Sequence, residues 1–118
     1  MATLIERIDT WHAAMSAALD TLSMAEQDVM HAGYALAEAR AVAETAIRAA
    51  ASDKKPTEHA IEIAVTLAHD VRICEGELLD TRAALITAQA RVEALKAEGR
   101  ALDWLVRLTA GAPLPTAA

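Results

Sequence analysis

The feature that most constrains this chain is an apolar repeat that steps alternately by four and three residues along two long arms. In the first arm it runs through Leu4, Ile8, Trp11, Met15, Ala18, Leu22, Ala25, Val29, Ala32, Leu36, Ala39, Ala43, Ala46 and Ala50, without a polar residue. In the second it runs through Ala60, Ala64, Leu67, Val71, Cys74, Leu78, Thr81, Leu85, Ala88, Val92, Leu95, Gly99, Leu102, Val106 and Thr109. Only Thr81, Gly99 and Thr109 depart from the rule. A seven-residue repeat sustained this far is the pattern of a helical seam, in which each helix buries one stripe against a partner helix.

Between the arms lies Ser52-Asp53-Lys54-Lys55-Pro56-Thr57. Pro56 has no N–H and disfavours helical backbone at Lys55, so one helix ends and another starts there. Pro suits the first turn of that second helix, with Glu58 and Glu62 near its positive end. The sequence therefore predicts an all-α fold, a long antiparallel coiled-coil helical hairpin over 1–110, with a helix over 3–51, a loop over 52–56 and a helix over 57–109. Gly111, Pro113 and Pro115 mark 111–118 as a disordered C-terminal tail. Each arm would extend about 70–80 Å at roughly 1.5 Å per residue.

Folding the arms back on each other gives layers in which large faces small. Trp11 meets Gly99, Ala18 meets Val92, Leu22 meets Ala88 and Ala25 meets Leu85. Ala32 then meets Leu78, Leu36 meets Cys74, Ala39 meets Val71 and Ala43 meets Leu67. Such alternation fills an interface without voids. Near the loop, Ala46, Ala50, Ala60 and Ala64 would allow the closest backbone approach. Gly33, Gly76 and Gly99 read as further sites of close approach. Cross-arm pairs are expected between Arg7 and Glu98, Glu26 and Arg82, and Arg40 and Glu75, each worth about 0–1 kcal/mol at an exposed site. An alternative breaks the first arm near Ser23, where Ser23-Met24-Ala25-Glu26 matches a capping box and shorter helices would form a compact bundle.

Composition supports the seam and narrows the function. Thirty residues are Ala and none is Phe, so stability must come from long, close helix contact. The net charge of −6, with Lys and Arg scattered, argues against direct nucleic-acid binding by a monomer. Cys74 is the only cysteine, which excludes an intrachain disulfide. Neither a signal peptide nor a membrane span is legible, so a cytoplasmic protein is expected.

No catalytic constellation emerges. His12 and His31 each follow an aspartate by three residues (Asp9 and Asp28) and share a helix face with it, but the seam is uniformly apolar and the two pairs lie far apart along one arm, so these read as solvated surface residues, like His59 and His69. Cys74 lies on the seam as a small hydrophobe, without a base to activate it. No glycine-rich phosphate loop is present. The expectation is no enzyme, no cofactor and no metal.

What the seam leaves over is apolar. Val65, Ile73, Leu79, Ile86, Trp104 and Leu108 of the second arm, and Met24, Met30 and Tyr34 of the first, lie off it and form the candidate interaction face. Two hairpins pairing through such faces make a four-helix bundle, and a homodimer is the predicted assembly. Trp104, flanked by Leu and Arg, is the natural anchor.

The loop Lys54-Lys55-Pro56-Thr57-Glu58-His59 and the stretch from Ala90-Arg91-Val92-Glu93 to Leu102-Asp103-Trp104-Leu105 resemble small Ala-rich helical-hairpin proteins of bacteriophages and prophages. The resemblance covers roughly residues 25–108. It implies a context near recombination or replication genes, in the host cytoplasm, and no defined activity. The leading expectation is a non-enzymatic oligomerising protein acting on another protein, as a phage accessory factor in recombination, replication or host-factor interference. Alternatives are a virion-assembly or secretion chaperone, and a regulator that binds nucleic acid as an oligomer.

Overall fold

A computed structural model describes residues 3–51 and 55–111. The chain is all-α, with α1 over Leu4–Ala50, α2 over Glu58–Leu67 and α3 over His69–Thr109, and no strand among the described residues. It divides into two compact units, one of Met1–Met24 with Ile86–Ala118, the other of Ala25–Leu85. In both, the first arm packs antiparallel on the second, which is the expected helical hairpin.

A capping box starts α1, though not at Ser23. Thr3 Oγ1 accepts from the Glu6 amide at 3.1 Å, and the Glu6 carboxylate accepts from the Thr3 amide at 3.4 Å. Ser23 lies inside uninterrupted helix. Breaking there would take Leu22 and Ala25 out of packing, a loss greater than one cap returns.

In the first unit, Ala18, Val92 and Leu95 form the core, with Trp11, Ala14, Met15 and Leu22 packed against them. The Trp11 ring lies over Gly99, and a Cβ placed on that glycine would come within 2.8 Å of the ring. The indole Nε1 donates to the Leu95 carbonyl at 2.6 Å. The pairing of a large ring with a missing side chain is thus realised as read. By contrast, Gly33 and Gly76 have nothing within 4 Å of such a Cβ, so neither marks a close approach.

In the second unit, Ile61, Val65 and Val71 form the core, against which Leu36, Ala39, Ala43, Ile47 and Ala68 pack. This corrects the reading of the second arm. The helix over 57–109 is interrupted at Ala68, whose ψ of 137° is extended. Its amide closes α2 on the Val65 carbonyl at 3.1 Å, and its carbonyl accepts the first α3 bond from Arg72 at 3.0 Å. The break rotates α2, so Ile61 and Val65 face α1 while Ala60 is exposed and Leu67 is 64% exposed. Ala43 therefore packs on the Ile61, Val65 and Val71 core while Leu67 turns outward, and Ala46 and Ala50 are exposed instead of tightly packed.

Energetics explain the slip. Burying Ile61 and Val65 rather than Ala60 and Ala64 covers roughly five more side-chain carbons, and trading Leu67 for Ala68 returns roughly three. The surplus is about 1.6 kcal/mol at about 0.8 kcal/mol per carbon. One or two interrupted backbone hydrogen bonds cost about as much.

α2 starts one residue later than read. Thr57, not Pro56, occupies the helix boundary, its Oγ1 accepting from the Ala60 amide at 3.1 Å. Arg48 joins the two sides of the turn, donating to Glu44 at 2.9 Å and to Glu58 at 2.9 Å. The Glu58 hydrogen bonds, then those of Glu44, raise the Arg48 guanidinium above its ordinary value. Of the cross-arm pairs expected, Arg40–Glu75 is present at 3.5 Å. Loop residues 52–54 and tail residues 112–118 lie outside the described residues.

Candidate interaction surface

Burial follows the seven-residue repeat closely enough to define an outside as well as an inside. Every seam position from Leu4 to Ala43, and from Val71 to Leu102, is buried or partly buried. The positions opposite the seam on each helix point into solvent.

Eight of the nine expected face residues are exposed. On α3 these are Ile73 at 47%, Leu79 at 64%, Ile86 at 66%, Trp104 at 45% and Leu108 at 58%. On α1 they are Met24 at 64%, Met30 at 55% and Tyr34 at 67%. Val65 is the exception and must be removed from the face, because the turn of α2 at Ala68 carries it into the core at 7% exposure.

Within neither unit do these residues make one patch. In the second unit, Met30 and Tyr34 lie on the outer side of α1, while Ile73 and Leu79 lie on the outer side of α3. The first unit repeats this, with Met24 on α1 and Ile86, Trp104 and Leu108 on α3. When two helices share one seam, their outer sides face away from each other. Within each unit the expected face is therefore divided in two, and in the first unit the α3 side carries the larger apolar content.

In the first unit that α3 side has a consistent build. Ala90, Ala94, Ala97 and Ala101 form an exposed stripe along its middle, and Trp104 and Leu108 stand at its C-terminal end. A shallow hollow lined by Arg100, Ala101, Trp104 and Leu105 opens beside the indole. Charges border the stripe on both sides, Glu93 and Arg100 on one and Arg91 and Glu98 on the other. A helix face of small side chains with one large aromatic at the end can accept another helix at close range.

Several exposed apolar residues escaped the sequence reading. Ile5, Leu19 and Val42 sit beside the seam, where they are 73%, 48% and 63% exposed. Ile63 likewise lies off the seam and is 47% exposed, whereas Leu67 became exposed only through the rotation of α2, which no sequence signal announced.

The polar candidates stay dispersed. His12, His31, His59 and His69 are exposed, and His12 lies edge-on to Trp11 with ring centres 4.9 Å apart. Asp28 and His31 share a shallow hollow with Glu77 and Asp80. Among the described residues no group of three or more His, Cys, Asp or Glu is placed to hold a metal ion. Cys74 is a free, partly buried thiol on the seam. No described helix is long and apolar enough to cross a membrane. No protein-family model, curated protein or solved structure matches the chain.

Proposed function

We propose that this chain is a non-enzymatic helical protein that works by binding protein through the outer side of α3, with a second copy of itself as its first partner. The observation that carries the reading is the exposed indole of Trp104 beside Leu108 and the alanine stripe of the first unit. Exposed apolar side chains aligned on one helix face mark association sites. Burying a side chain the size of Trp or Leu removes about 1.5–3 kcal/mol of unfavourable hydration, and a two-fold dimer gains that twice. Two such hairpins in contact form a four-helix bundle.

The resemblance to phage-encoded hairpins supports an accessory role in recombination, replication or interference with a host factor. Sedimentation equilibrium tests the self-association. A species of twice the 12.5 kDa chain mass is expected across the micromolar range. A chain that stays at its own mass throughout refutes the dimer.

A further inference from the structure

The proposed dimer leaves the register open, and the charges bordering the stripe supply it. We infer that two copies pair antiparallel through α3 of the first unit, about a two-fold axis passing between Leu95 and Lys96. The inference rests on the self-association reading above and adds its geometry.

The axis follows from two independent patterns. In the first, the outward positions fall into mutually complementary layers. Ala94 meets the partner's Ala97, Ala90 meets the partner's Ala101, and Thr87 meets the partner's Trp104. The centre is then small against small, which brings the helices close, and each end sets a large ring over a short side chain. This repeats between molecules what Trp11 and Gly99 do within one.

The second pattern is charge. In an antiparallel helix pair, residues on one flank of the seam meet the same flank of the partner, offset by a fixed amount from the core layers. With the axis set by the alanine layers, that offset brings Glu93 to the partner's Arg100, and Arg91 to the partner's Glu98. Symmetry doubles both, giving four opposite-sign contacts and no like-sign contact among these residues. The layers and the charges were not chosen to agree, yet they specify one axis.

The side chains are available for this. All four are exposed, and Arg91, Glu98 and Arg100 form no ion pair among the described residues. Glu93 meets Lys96 of its own helix at 3.1 Å, and a carboxylate has room for a second cation.

A charge-swap experiment reads the register directly. Arg91 and Glu98 are separated by two turns, about 10 Å along one helix, so they do not pair within a chain. Arg91→Glu sets two like-charge contacts across the axis and should raise the dimer Kd about tenfold, as should Glu98→Arg. The double variant should return Kd to within about twofold of the parent, because both contacts are restored in reverse. Circular dichroism checks that each variant keeps its helicity. A second measurement uses chains carrying Cys74→Ala with either Ala90→Cys or Ala101→Cys. Mixed, they should form an interchain disulfide, while Ala90→Cys alone should not, its two copies lying about 16 Å apart along the axis. A parent dimer without rescue and without the mixed disulfide overturns the register while leaving self-association standing. A monomeric parent overturns both.

Discussion

Replacing Gly99 by Ala tests the packing of the first unit, because general helix physics predicts the opposite sign. Alanine in place of a mid-helix glycine ordinarily gains about 1 kcal/mol. At Gly99 the new methyl would lie within 2.8 Å of the Trp11 ring. The ring is not free to step aside, since it packs on the Ala18, Val92 and Leu95 core and its Nε1 bonds Leu95 at 2.6 Å. Overpacking costs about 1–3 kcal/mol, and loss of the indole hydrogen bond about 1 kcal/mol more. The balance is a destabilisation of about 2 kcal/mol, a fall in Tm of about 6–12 °C for a chain of this size. Gly33→Ala and Gly76→Ala are the internal controls, because open space surrounds both positions. Each should raise stability by about 0.5–1 kcal/mol. Far-UV circular dichroism melts of the four proteins, repeated as urea titrations, decide the matter. If Gly99→Ala stabilises as much as the other two, the ring does not sit where the structure has it.

Three further outcomes follow from the packing. Ile61→Ala should cost about 2–4 kcal/mol in urea unfolding and Leu67→Ala less than about 0.5 kcal/mol; the reverse order would mean an unbroken second helix. Trp104→Ala should leave helicity unchanged and weaken self-association about a thousandfold, as loss of two symmetry-related anchors worth about 2 kcal/mol each, read by sedimentation equilibrium; unchanged association would remove the indole from the interface. Thr3→Ala should speed hydrogen exchange in the first turn of α1 without altering the Ala18 region, since a cap worth about 1 kcal/mol acts locally.

The seam was legible because it is long. Any one alanine says little, but the four–three stepping from Leu4 to Ala43 and from Val71 to Leu102 is a pattern that only one helix face satisfies, and each of those residues is drawn out of solvent. Trp11 opposite Gly99 was legible for a different reason, extreme size complementarity. The turn at Ala68 was not, because the two phases available to α2 differ by about as much as the hydrogen bonds the turn gives up. Without Pro or Gly at the break, no local signal tips that balance. Val65 was misplaced as a direct result. The capping boxes show the same limit, since Thr3 and Ser23 carry equivalent motifs and only the surrounding burial tells them apart. Eight of the nine candidate residues are exposed, but their division between α1 and α3 required the two-helix geometry.

The two tryptophans give the molecule a pair of natural lamps with separate duties. Trp11 emits from a packed, hydrogen-bonded niche and should dim or redden only when the fold melts. Trp104 shines from the opposite side of the same unit, 45% open to water, and should shift toward the blue when something settles on it. Silencing either one by Trp→Phe would let a single fluorimeter watch folding and docking as independent events, with no dye attached.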